Sequence, residues 1–167
     1  MLIILGGLPG VGKTTIAREL ARQLGAVHLR IDSIEQAIRN SEALSRPLND
    51  AGYRVGYAVA LDNISVGRTV IADSVNPLAI SRDAWVEVAK RAQVSAIEIE
   101  VVCSDAREHQ RRVENRATDI PGLIPPTWQE VVSRDYQPWD RERIVIDTAM
   151  RSVEQAVTML RKILPEP

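Results

Sequence analysis

Near its start the chain reads Gly7-Leu8-Pro9-Gly10-Val11-Gly12-Lys13-Thr14, in which four residues separate two glycines and a lysine and a threonine follow. This pattern suits the grip of a polyphosphate. Glycines let a backbone curl around phosphate oxygens where a Cβ would collide, and the loop N–H groups of Gly7, Gly10, Val11 and Gly12 present positive potential to them. Lys13 is spaced to reach the β- and γ-phosphates. The Thr14 hydroxyl is spaced to complete a magnesium shell, and Thr15 to touch the α-phosphate. An apolar run at 2–5 reads as a strand leading in, and a helical pattern at 14–24 leads out, which is the setting this chemistry requires. The segment is expected to bind a nucleoside triphosphate, taken as ATP, with Mg2+.

Acids recur at the ends of the other apolar runs. Asp32 follows 27–31, Asp73 follows 69–72, Ser104-Asp105 follows 95–103, and Asp147 follows 144–146. In a parallel sheet these positions gather along one edge beside the phosphate loop. Asp32 is the candidate base, a carboxylate to accept the proton of an attacking hydroxyl; its plainer role is to favour the positive end of the next helix. Asp73 is the candidate to hold magnesium through water or to bind a substrate hydroxyl, and otherwise a turn residue. Ser74 stands where many hydrolysing enzymes carry a glutamate, which favours transfer over hydrolysis. Asn76 and Asp105 read as helix caps.

Basic residues complete the set. A helix at 105–116 carries Ala106, Gln110, Val113 and Ala117 as its inward stripe, with His109, Arg112 and Arg116 beside it. Arg112 and Arg116, four apart, would repel each other on a bare helix and welcome an anion between them; the alternative is a solvated face with Glu108 paired to Arg112. His109 reads as a surface residue. The breaker-rich segment at about 117–127 is built like a small lid that closes over the phosphates and excludes water, or else it is an ordinary loop. The acceptor pocket is placed at 50–57, including Tyr53 and Arg54, by location alone.

What positions these residues is an alternation of strands and helices along 167 residues. Helices are expected at 34–39, 50–66 and 77–92, with Ser33-Ile34-Glu35-Gln36, Asn76-Pro77, Thr127-Trp128-Gln129-Glu130 and Ser152-Val153-Glu154-Gln155 as starts. Ile97-Glu98-Ile99-Glu100-Val101 alternates, so one face of that strand is expected to be wet. Five strands separated by helices imply one α/β domain over 1–167, a three-layer sandwich around a parallel sheet. A net charge of −1 argues against a general grip on nucleic acid or anionic membrane. The single cysteine, Cys103, permits no internal disulfide and suits a cytoplasmic setting. The apolar start is too short for a signal sequence, and no stretch approaches a membrane span.

Taken together, residues 7–15, Val27-His28-Leu29-Arg30-Ile31-Asp32, Val70-Ile71-Ala72-Asp73-Ser74-Val75-Asn76-Pro77 and 112–116 resemble the small P-loop kinases of the nucleoside-monophosphate-kinase type. The nearest branch holds gluconate kinases, chloramphenicol phosphotransferase-like proteins, zeta-toxin-like kinases and many "AAA-family ATPase" sequences. The resemblance implies a P-loop NTPase sheet in the order 2-3-1-4-5 and transfer of the γ-phosphate of ATP to a small-molecule acceptor. It also implies Asp32 as base and Arg112 or Arg116 as lid arginines, and Ile144-Val145-Ile146-Asp147-Thr148-Ala149 as the strand and loop passing the adenine. Many relatives carry an arginine three residues after the strand-two aspartate; here that position is Glu35, with Arg39 a turn later, which points away from an acceptor bearing its own phosphate. A polynucleotide or nucleotide-sugar kinase, and a slow ATPase switch acting through a protein partner, are the alternatives.

Overall fold

The computed structural model describes residues 1–41 and 47–165. Five parallel strands, β1 (Leu2–Gly6), β2 (Val27–Arg30), β3 (Val70–Asp73), β4 (Ala96–Val102) and β5 (Ile144–Asp147), lie in the order β2-β3-β1-β4-β5. The expected sheet and its order are therefore observed. Helices α1 (Lys13–Leu24), α2 (Ile31–Asn40), α3 (Ala51–Ser65), α4 (Ala79–Arg91), α5 (Ala106–Glu114), α6 (Trp128–Val132) and α7 (Val153–Ile163) flank it.

Every residue of β1 is buried, because both of its faces are covered. Ile3 and Leu5 join Ile16, Ala17 and Leu20 of α1 and Ala156, Val157 and Leu160 of α7 in one core layer. Leu2 and Ile4 join Ala60 and Ile64 of α3 and Trp85, Val88 and Ala89 of α4 in the other. Alternation along a strand assigns successive side chains to opposite faces. Fully burying one such Leu or Ile contributes about 1.5–3 kcal/mol. The central strand is thus the firmest part of the molecule, and the phosphate loop hangs from its end.

Four local expectations are corrected. Helix α2 begins at Ile31, directly from β2, so Asp32 lies in its first turn and Ser33 is not its cap. Asn76 does not start α4: it is buried with φ 49, a left-handed conformation that Asn tolerates. Its Nδ2 donates to Leu5 O (2.8 Å) and its Oδ1 accepts from Trp85 Nε1 (3.1 Å), so this buried amide ties β1 to α4. Helix α5 ends at Glu114, which leaves Arg116 beyond it, and Ala106 and Ala117 are exposed while His109 and Val113 face inward. The Thr127 and Ser152 capping boxes and the Asp105 cap form as expected.

The face of β4 expected to be wet is covered. Residues 133–143 cross it as a strap, in which Arg143 Nε donates to Glu100 Oε2 (2.6 Å) and Tyr136 OH to Glu100 Oε1 (3.3 Å). Arg141 lies 3.9 Å from Glu98. Fully buried Arg82 donates to Gln137 O (3.1 Å) and Pro138 O (3.2 Å) while its guanidinium lies 4.6 Å from the centre of the Trp139 ring. A buried charge persists only where partners replace water, and the strap supplies them.

Candidate active site

The C-terminal ends of the strands open on one cleft of about 1410 Å3. Eight cationic side chains, Lys13, Arg18, Arg30, Arg39, Arg112, Arg116, Arg134 and Arg151, line it against five carboxylates, Asp32, Glu35, Asp73, Asp119 and Glu130. In a nearly neutral protein this cavity carries a surplus of positive charge, which suits an anionic ligand.

The floor is the loop from Gly7 to Thr14. Gly7 has φ 135, and a Cβ there would stand 2.1 Å from Val101 O, so no other residue fits. Gly7 N–H donates to Val75 O (3.0 Å), which fixes the root of the loop and takes that donor out of the cleft. Gly10, Gly12, Lys13, Thr14 and Thr15 line the cleft, while Val11 is buried and braces the loop through its carbonyl. Lys13 Nζ donates to Leu8 O (2.9 Å), and burial lowers the ammonium to about 8 although Asp73 and Asp32 attract its proton.

Two supports of the loop were not legible in the sequence. His109, expected at the surface, is buried: its Nε2 donates to Pro9 O (2.8 Å) and its ring meets Trp128 edge-on at 5.1 Å. Thr148, from the loop after β5, donates through Oγ1 to Val11 O (2.9 Å) and accepts from Arg112 Nη1 (2.7 Å). Arg112 also holds Glu108 (2.8 Å) and Thr148 O (3.1 Å), so it joins α5 to the loop after β5. Arg116 stands elsewhere, 3.8 Å from Asp32. The two arginines do not oppose each other along one helix.

Asp73 is almost wholly buried beside the loop. Burial pushes its carboxyl up, but hydrogen bonds from His28 and Thr14 and the charge of Lys13 together leave it below the usual carboxylate range. His28 Nε2 lies 3.1 Å from Asp73 Oδ2. The period of two in β2 put His28 and Arg30 on one face of that strand, a signal present in the sequence. An ionised carboxylate and an adjacent hydroxyl form an all-oxygen pair, the donor set that hard Mg2+ prefers when phosphates and water complete its shell.

The far side of the cleft is α2, with Asp32, Glu35, Gln36 and Arg39, and α3 with Tyr53. Glu35 packs where a Cβ on Gly52 would intrude at 2.3 Å from its Cγ, and burial raises its carboxyl despite the opposing pull of Arg39. Tyr53 OH accepts from Asn76 N (3.2 Å), and burial pushes the phenol up to about 12, so it stays protonated at neutral pH. Arg54 is not brought to the site: its exposed side chain lies 3.9 Å from Asp50, one turn back on the solvent face of α3. The segment 117–126 roofs the cleft, with Asp119 paired to Arg18 and Arg30 and Asn40 Nδ2 donating to Pro121 O (3.5 Å).

A family model described as an AAA domain matches residues 2–122, from β1 into the roof of the cleft. The chain belongs to the AAA domain family. The fold of this AAA domain recurs in a Chloroflexus aurantiacus j-10-fl protein provisionally named a kinase, with TM-score 0.78, 21% identity and 98% of each chain covered. It recurs in the APS kinase CysC of Mycobacterium tuberculosis, solved with AMPPNP and APS, at TM-score 0.72 and 19% identity over 96% of this chain and 95% of that one. Chaetomium thermophilum Kti12, solved with ADP-AlF3, gives TM-score 0.71 and 22% identity over 99% of this chain and 100% of that one. These likenesses show the fold alone, one that this chain shares with proteins named as kinases. The replication factor C large subunit of Pyrobaculum arsenaticum is 34% identical over 84 residues, 49% of this chain but 18% of that protein. The AAA domain therefore spans a small part of that relative. Among the described residues no helix is long and apolar enough to cross a membrane.

Proposed function

We propose that this AAA domain is an ATP- and Mg2+-dependent kinase of the cytoplasm that transfers the γ-phosphate to a hydroxyl of a small-molecule acceptor. The observation that carries the reading is the place of Asp32. It stands on α2 across the cleft from Lys13, near enough for its charge to act on that ammonium, in a cavity otherwise dominated by cations.

In this reading the loop N–H groups and Lys13 hold the phosphates, and Asp32 accepts the proton of the acceptor hydroxyl as its oxygen attacks the γ-phosphorus. ADP leaves with the electrons of the broken P–O bond. Arg116 offsets charge on the transferring group, and Arg112 holds the loop that accepts the nucleotide. Bound magnesium, held through Thr14 and through Asp73 with water, would neutralise the β- and γ-oxygens. Tyr53 and Glu35 offer the acceptor a donor and an acceptor of hydrogen bonds, and the roof at 117–126 excludes water. APS kinase, whose structure contains a nucleotide analogue and a small acceptor together, supports the idea that such a cleft admits both.

The test is Asp32→Asn, assayed for ADP formation against a panel of sugars, sugar acids, nucleosides and aminoglycoside-like alcohols. Transfer is expected to fall by about 10²–10⁴-fold, the usual contribution of a general base, with Mg-ADP affinity unchanged within about twofold. Equal turnover in the two proteins, indifferent to every acceptor, would sink the kinase reading and favour a switch that works through a partner.

A further inference from the structure

We propose that Asp119, in the roof of the cleft, governs the reactivity of Asp32 by competing with it for the guanidinium of Arg30. The inference rests on the kinase reading of Asp32. Arg30 ends β2 with a side chain only 5% exposed, so under the closed roof its charge is met by carboxylates and not by water. Two are within reach. Its Nη1 donates to both oxygens of Asp119 (2.9 and 3.1 Å), whereas its Nη2 lies 3.9 Å from Asp32 Oδ2, too far for a hydrogen bond. Its Nε is buried without a partner. Asp119 thus holds Arg30, and Asp32 keeps that oxygen free of it.

Asp119 is the member carried by the roof. Its side chain is half exposed and belongs to the segment that meets α2 at Asn40 and near Gln36. Arg18 and then Arg30 hold its carboxyl well below the usual range, so it carries its charge at any working pH. When the roof lifts, Arg30 loses its partner, and a shift of about 1 Å would bring it into hydrogen-bond range of Asp32. A carboxylate that accepts a charge-assisted bond is a poorer base, and its lone pair is turned from the hydroxyl. Chemistry is thereby tied to closure, and ATP is spared while the cleft is open. Arg116, 3.8 Å from the same oxygen, lies outside the helix at the root of the roof and is free to turn to a phosphate.

A simple latch makes the opposite forecast for one variant. If Asp119 only fastens the roof, removing Arg30 breaks the same fastening and restores nothing. If it competes, removing Arg30 repairs the loss of Asp119. The experiment follows single-turnover phosphate release from Mg-ATP, with water in place of the acceptor hydroxyl, in wild type, Asp32→Asn, Asp119→Asn, Arg30→Met and the Asp119→Asn/Arg30→Met pair. The rate difference between wild type and Asp32→Asn defines the part due to Asp32. Asp119→Asn is expected to lose about tenfold of that part with Mg-ADP affinity held, and the double variant to recover to within about threefold of Arg30→Met. Asp119→Glu, which keeps the carboxylate, is expected to keep at least about a third of the wild-type rate, and this arm stands even if Arg30→Met fails to fold. A double variant as slow as Asp119→Asn, or an Asp119→Asn as fast as wild type, overturns the competition alone. Equal rates in wild type and Asp32→Asn overturn this inference, while the kinase reading then stands or falls on the acceptor panel above.

Discussion

Lys13 shows what burial does to a single charge. The native ammonium loses its proton near pH 8, whereas the unfolded side chain keeps it to about 10.5. Between those values the unfolded state holds the extra proton, so this group makes stability rise with pH, and below about pH 8 it costs the full desolvation. Nucleotide binding has the other sign. Bound phosphates favour the ammonium, so above pH 8 binding takes up a proton and Mg-ADP affinity falls by up to about tenfold per pH unit. Calorimetry at pH 7 and 9.5, in buffers of different ionisation enthalpy, reads this directly, and Lys13→Met should abolish the uptake. The motif around Lys13 was legible because its chemistry is local, set by residues adjacent in the chain. His109 was not, because its partner Pro9 is 100 residues away and only the docking of α5 brings them together.

At the scale of elements, the bracing of the loop by α5 and α6 yields a sharper test than the loop itself. His109→Leu leaves Pro9 O buried without its donor, at a cost of about 1–3 kcal/mol. Mg-ADP affinity should drop by about tenfold while the far-ultraviolet signal stays native; unchanged affinity would mean that the histidine merely fills space. Capping boxes at Thr127 and Ser152 and the strand-end acids were readable because each is a short pattern set by residues adjacent in the chain. Helix α2 was misread at its start because Ser33 imitates a cap, while β2 in fact runs straight into the helix at Ile31. Asn76-Pro77 failed for a related reason: burial turned a surface cap into an internal strut. Arg18, Arg30 and Asp119 were missed as a cluster because their pairing spans α1, β2 and the roof, which no sequence spacing records.

Across the whole molecule, the parallel sheet follows from alternating strands and helices and its order from the family resemblance, whereas the coverage of β4 follows from neither. Its two glutamates promised water, and a strap of irregular chain supplied arginines and a tyrosine instead. Arg82→Met should therefore destabilise the protein by about 3–5 kcal/mol, the cost of disrupting a buried charged network. Urea unfolding measures this, and a loss under 1 kcal/mol would show that the network contributes little. The strap has another use. At Gly6, a Cβ would lie only 2.6 Å from Cζ2 of Trp139, so the indole rests against the residue immediately before the phosphate loop. Its emission samples the electric field and mobility of that junction, and Arg82 and Arg143 lie over its ring. The protein consequently carries an intrinsic optical gauge, and stopped-flow fluorescence should register nucleotide arrival without any attached dye.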